Sequence, residues 1–81
     1  MITVYSKNVC PFCDQAKALL NSKNIEYKIV NIEEDAEGRN FLMTQGLRSV
    51  PQVFEDGELI GGFDKLKDWV AINEITSNLN L

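Results

Sequence analysis

The sequence predicts a small α/β domain of order βαβαββα, a four-stranded mixed sheet flanked by helices. Three observations carry that prediction. Residues 2–32 read as strand, helix, strand, which implies a right-handed crossover and a parallel pair. Asp56-Gly57 lies between two short strand-like runs, the strongest hairpin signal in the chain. An amphipathic stretch then follows Gly61-Gly62.

Each element has its own reason. Ile2 to Tyr5 alternate apolar and polar residues, the pattern of a half-buried strand. Ser6 to Val9 form a loop, and a helix begins at Pro11, whose missing N–H costs nothing at a first helical position. Phe12, Ala16, Leu19, Leu20 and Lys23 follow helical spacing, so Ala16, Leu19 and Leu20 are expected against a core. Ser22 to Asn24 end that helix. Ile25 to Ile32, rich in β-branched and aromatic residues, is the predicted second strand. Glu33, Glu34 and Asp35 are read as a solvated helix start, where carboxylates meet the positive end of a helix over Ala36 to Thr44. Phe41 and Leu42 are that helix's expected core contacts and Gly46 its stop. Gln52 to Glu55 and Glu58 to Ile60 are the hairpin strands, with Phe54 in the core. The last helix is expected from Asp64 into the Ile75 region, with Leu66, Trp69, Val70 and Asn73 on its inward side and residues 78–81 fraying. Residues 1–81 read as one domain, without repeats or linkers.

Composition narrows the function. With 44% hydrophobic residues the chain has enough apolar side chains to build a core, which disordered chains lack. No apolar run approaches the roughly 20 residues that span a bilayer. A net charge of -4 with no Lys/Arg cluster makes a poor nucleic-acid binder. The chain has no His, the commonest general base and metal ligand. Met1 runs straight into strand-like sequence with no basic, apolar and small-residue leader, which predicts a cytoplasmic protein with reduced thiols.

The only two cysteines form Cys10-Pro11-Phe12-Cys13. A disulfide between them closes a loop too short to be a useful structural staple. A zinc site normally needs four ligands, and the chain has no other Cys and no His to complete one. Redox chemistry is what remains. A Cys-x-x-Cys pair after the first strand of a βαβ unit is the setting of a thioredoxin-like redox motif. At a helix N-terminus, unpaired N–H groups and the helix dipole stabilise thiolate over thiol, lowering a cysteine pKa from about 8.5 to roughly 3.5–7.5. Cys10 is therefore the expected nucleophile. Cys13, one turn on and less exposed, is the expected resolving thiol. Lys7 can add positive charge nearby.

Ser49-Val50-Pro51 precedes a strand, where proline is tolerated at the first residue. Residue type alone favours a trans bond. A cis bond would turn the Val50 N–H and C=O outward, where an extended substrate can pair with them.

Together these residues resemble the glutaredoxin family, in particular its small dithiol members of the bacterial and phage kind. The resemblance covers nearly the whole chain. Ser6-Lys7-x-x-Cys10-Pro11-Phe12-Cys13 is similar to the family's active-site stretch, and Ala16-Lys17-Ala18-Leu19-Leu20 to its first helix. Ser49-Val50-Pro51 is similar to its Thr-Val-Pro segment with a cis proline, and Gly61-Gly62-Phe63-Asp64 to its Gly-Gly-x-Asp turn. The resemblance implies a thioredoxin-like fold and glutathione-dependent reduction of protein disulfides and glutathionylated proteins. It implies glutathione as co-substrate with no tightly bound cofactor; a monomer without metal, nucleic-acid or membrane partner is expected beside it. Ribonucleotide reductase is a protein partner that such members often serve.

It also implies a glutathione groove. The Val50 backbone, beside Pro51, would pair with the cysteinyl unit. Lys7 would meet the glycyl carboxylate, with Arg48 assisting. Asp64, with the backbone at Gly62 and Phe63, would hold the γ-glutamyl amine, and Phe12 would lie over the substrate. Plainer readings stand beside these: Lys7 and Arg48 as solvated cations, Asp64 as a favoured helix-start carboxylate, Gly61-Gly62 as residues permitting unusual backbone angles. Two departures are Phe12, where Tyr is commoner, and Leu47, where many members carry Gln. The competing readings are recharging by thioredoxin reductase, and an iron–sulfur cluster shared between two chains. Gly62-Phe63-Asp64 argues against the first and Cys13 against the second.

Overall fold

Alternation along the first strand decides how the layers stack. In β1 (Ile2–Ser6), Ile2, Val4 and Ser6 are buried, while Thr3 and Tyr5 are half-buried on the opposite face. The computed structural model describes residues 1–79, with side chains described through Asn73. After β1 come α1 (Pro11–Ser22), β2 (Tyr27–Asn31), α2 (Ala36–Thr44), β3 (Gln52–Glu55), β4 (Glu58–Gly61) and α3 (Phe63–Leu79). The sheet order is β2-β1-β3-β4, parallel between β1 and β2 and antiparallel elsewhere.

Ile2 and Val4 meet Ala16 and Leu20 of α1, Leu66 and Val70 of α3, and Val53 of β3 in one core. On the other face Tyr5, Phe41 of α2 and Phe54 form a ring cluster with centroids 5.3–5.5 Å apart. Such pairs contribute about 0.5–1.5 kcal/mol each beyond their buried area. Burial and Asp35 raise the pKa of Tyr5, burial being the larger cause.

Several boundaries differ from expectation for local reasons. β2 begins at Tyr27 rather than Ile25, because Ile25 N–H still donates to Leu20 O (3.0 Å) and Asn24 turns the chain with φ 57°. Lys23, on the expected helical stripe, is the exposed C-cap of α1. Asp35 alone starts α2, its carboxylate accepting the Gly38 N–H at 3.0 Å. Gly46 closes α2 with φ 74°, donating its N–H to Met43 O at 3.0 Å. α3 begins at Phe63 and extends through Leu79, past the expected end. Asn73 is exposed, its Nδ2 donating to Trp69 O (2.7 Å), and so does not face the core. Trp69 is only half-buried at the core's edge. Of the residues expected to fray, 80 and 81 lie outside the described residues.

Candidate active site

The chemistry gathers where β1 ends and α1 begins. Cys10 is the N-cap of α1, in extended conformation with Pro11 behind it at the first helical position. Its carbonyl accepts the Asp14 N–H at 3.0 Å, and its sulfur accepts the Cys13 N–H at 3.1 Å. Caps are ordinarily oxygen-bearing side chains. A sulfur is a poor acceptor as thiol and a good one as thiolate, so this position favours the ionised form. Cys10 and Cys13 are joined in a disulfide, Cα atoms 5.1 Å apart, so the structure is the oxidised half of a dithiol couple, where a reduced pair was expected. Cys10 is 6% exposed and Cys13 is 0% exposed, so of the two residues only the first reaches the surface.

The Val50–Pro51 bond is cis, against the residue-type preference and in line with the segment's resemblance. Val50 O lies 3.9 Å from Cys10 Sγ, and Pro51 is buried. Phe12 is 57% exposed beside Cys10, its ring centroid 6.1 Å from that of Phe63 at the start of α3. Lys67 Nζ sits 5.2 Å from the Phe63 ring centre, within cation–π range. Asp64 lies inside the first turn of α3 rather than at its cap, 93% exposed and 3.9 Å from Lys67 Nζ. Gly62 and Gly61 part company. A Cβ on Gly61 (φ 129°) would meet Lys65 at 2.8 Å, whereas one on Gly62 would lie 3.6 Å from Pro51 O, an ordinary contact. The unusual backbone therefore belongs to Gly61 alone of the two. Lys7 and Arg48 are exposed, and no hydrogen bond or ion pair holds either side chain among the described residues. Contacts thus join Cys10, Cys13 and Val50, and Phe12 to Phe63; Lys7, Arg48 and Asp64 face solvent.

Sequence reasoning missed the groups that hold the loop ahead of Cys10. Ser6 pairs with Asn31 in the parallel register, so the loops after β1 and β2 lie side by side. Asn8 N–H donates to Glu33 Oε1 (2.6 Å), Asn31 Nδ2 to Asn8 Oδ1 (2.7 Å) and Glu33 N–H to Asn31 Oδ1 (2.9 Å). Glu33 is thus an exposed loop anchor, solvated as expected but outside the helix that Asp35 caps. Only the inferred parallel pairing hinted at it, by bringing the C-terminal ends of two strands together.

A mixed sheet between helices, with a cysteine pair capping the first helix beside a cis proline, defines a thiol–disulfide oxidoreductase of the thioredoxin-like fold. The glutaredoxin family model matches residues 2–60. Glutaredoxin 3 of Escherichia coli (strain K12) is 39% identical over 66 residues, covering 80% of this chain and 80% of that protein. Among solved structures, a buckwheat glutaredoxin–glutathione complex superposes with TM-score 0.77 at 26% identity, covering 94% of this chain and 73% of that one. Reduced glutaredoxin C1 from Populus tremula x tremuloides gives TM-score 0.76 at 32% identity, covering 93% and 68%. The chain belongs to the glutaredoxin family.

Proposed function

We propose that this protein is a monomeric, cytoplasmic, glutathione-dependent reductase of protein disulfides and glutathionylated proteins, with ribonucleotide reductase among its acceptors. The observation that carries the reading is the cap: the Cys10 sulfur receives the Cys13 N–H, and Cys10 is the residue of the pair that keeps some exposure. The existence of a glutathione complex of a buckwheat relative supports glutathione as the small thiol.

In the dithiol route the Cys10 thiolate attacks one sulfur of a substrate disulfide, and the displaced substrate thiolate takes a proton from water. The Cys13 thiolate then attacks Cys10 Sγ and expels the second substrate thiolate. The substrate gains two electrons and the pair becomes the Cys10–Cys13 disulfide. Two glutathione molecules return those electrons in two exchanges and leave as glutathione disulfide. On a glutathionylated protein, Cys10 attacks the glutathione sulfur and the protein thiol departs; a second glutathione then frees Cys10.

Glutathione would run beside Val50, its backbone pairing with Val50 N–H and C=O and its sulfur beside Cys10. Pro51 would support that edge and Phe12 would cover the sulfur. Lys7, assisted by Arg48, would attract the glycyl carboxylate. Asp64 and the backbone at Gly62 and Phe63 would take the γ-glutamyl amine, for which an exposed carboxylate at 93% is accessible. Turnover of a glutathionylated peptide with glutathione, glutathione reductase and NADPH tests the reading. Activity there, and none with thioredoxin reductase and NADPH alone, is expected; the reverse pattern overturns it.

A further inference from the structure

β4 is an outer strand of the sheet, and among the described residues no strand pairs with its far edge. Backbone N–H and C=O groups along such an edge are open to an added strand. Between β4 and α3 the surface forms a groove of about 350 Å³. Its apolar part comes from Ile60 and Trp69, both half-buried against the core, and from Ile72, which is 62% exposed.

The rim is acidic. Glu55, Glu58 and Asp68 line the groove, with Lys65 as its one cation. Glu55 and Glu58 are register partners across β3 and β4, where like charges oppose pairing. Glu58 and Asp68 carry no ion pair among the described residues. Cations supplied from outside would relieve that repulsion. A second copy of this chain cannot supply them: joining two copies through β4 brings both sets of carboxylates together, on chains that each carry a net charge of -4.

The groove stands apart from the redox centre. Phe63, which packs on Phe12 beside Cys10, lies about 14 Å along α3 from Ile72, at about 1.5 Å per residue. None of the residues assigned above to glutathione lines it.

We propose that this edge docks an extended basic segment of a partner protein, which adds beside β4 as a fifth strand. Residues two apart share a face of a strand. One apolar side chain would enter the groove against Ile60, Trp69 and Ile72. Lys or Arg two residues to either side of it would meet Glu58 and Asp68. Cys10 stays open to its substrates while the partner is held, and the proposal does not depend on which thiol recharges Cys10.

Trp69 is the chain's only tryptophan, so its fluorescence reads the groove directly. The reduced full chain is titrated with a capped heptapeptide, Thr-Lys-Thr-Leu-Thr-Arg-Thr, and with the same peptide carrying Glu for Lys and Arg. The basic peptide is expected to shift the fluorescence saturably, and the acidic one to bind at least about tenfold more weakly. Raising salt from about 0.05 to 0.5 M should weaken the basic peptide several-fold. Glu58→Lys combined with Asp68→Lys, both exposed positions, should remove or reverse the preference. Methylating the backbone nitrogens of the peptide's even or its odd internal residues, in two separate probes, should abolish binding in one and spare the other, because only one set faces β4. Alkylation of Cys10 by iodoacetamide should stay within about twofold at saturating peptide. Equal binding of the basic and acidic peptides, a preference that survives the double variant, equal tolerance of both methylation sets, or slowed alkylation of Cys10 overturns the site.

Discussion

The backbone N–H of Asn8 donates to Glu33 Oε1 at 2.6 Å, tying the loop before the cysteines to the residues after β2. Asn8 is one residue past Lys7 and two before Cys10, so this bond fixes the segment that carries both. The groups are exposed, and such a bond contributes about 0.5–1.5 kcal/mol. Glu33→Ala is expected to lower the melting temperature by roughly 2–12 °C. It should raise KM for a glutathionylated peptide more than it lowers kcat, because the loop is loosened and the sulfur chemistry kept. Glu33→Gln keeps an acceptor and should fall between. Thermal melts with steady-state kinetics check this; unchanged KM in Glu33→Ala would mean that the Asn31 Nδ2 to Asn8 Oδ1 bond, 2.7 Å, and the Ile32 N–H to Ser6 O bond, 2.8 Å, hold the loop without it.

Gly61 and Gly62 are adjacent and do different work. Ala at Gly61 would combine a φ of 129° with overlap on Lys65, and is expected to cost about 1–3 kcal/mol. Ala at Gly62 meets only Pro51 O at an ordinary 3.6 Å, so stability should change by under about 1 kcal/mol. The added methyl would crowd the proposed glutathione backbone, raising the apparent glutathione requirement several-fold. Urea unfolding of both variants, with a glutathione titration of Gly62→Ala, separates the two roles. A Gly62→Ala protein with an unchanged glutathione requirement removes Gly62 from the site.

Gly38 is buried where α2 crosses β2, and a Cβ there would overlap Val30 Cγ1. Ala gains up to about 1 kcal/mol of helix propensity over Gly. Overpacking costs about 1–3 kcal/mol, and the stiff β-branched Val30 cannot swing aside freely. Gly38→Ala should therefore destabilise on balance. Val30→Ala opens the space, so the double variant should lose less than the sum of the two single losses. Additive losses in urea unfolding would mean that the helix shifts to absorb the methyl.

What was legible in the sequence follows the range of the interactions involved. The element order was readable because alternation in β1, the Asp56-Gly57 turn and the spacing of Ala16 and Leu20 are local patterns. Cys10 at a helix start was readable for the same reason, since Pro11 marks the first turn. The extra length of α3 and the late start of β2 were not, because helix ends depend on caps such as the Ile25 N–H to Leu20 O bond. Asp35 as N-cap and Glu33 as loop anchor look alike in Glu33-Glu34-Asp35; only β1–β2 pairing separates them.

Burial separates the two cysteines and sets the last prediction. Cys10 has some exposure and Cys13 has none, while the N–H of Cys13 holds the Cys10 sulfur whatever side chain residue 13 carries. Cys10→Ser should abolish both deglutathionylation and protein-disulfide reduction, since an alcohol at the cap is no nucleophile at neutral pH. Cys13→Ser keeps the capping N–H, so Cys10 should still be alkylated at pH 7 faster than a free thiol. That variant should retain deglutathionylation within several-fold of wild type, and lose reduction of protein disulfides because no second thiol resolves the mixed disulfide. Cys13→Ala should behave alike, which guards against an effect of the buried hydroxyl. Mass spectrometry should find a trapped mixed disulfide on Cys10 in both Cys13 variants. Equal loss of both activities in the Cys10 and Cys13 variants would overturn the division of labour between the two sulfurs.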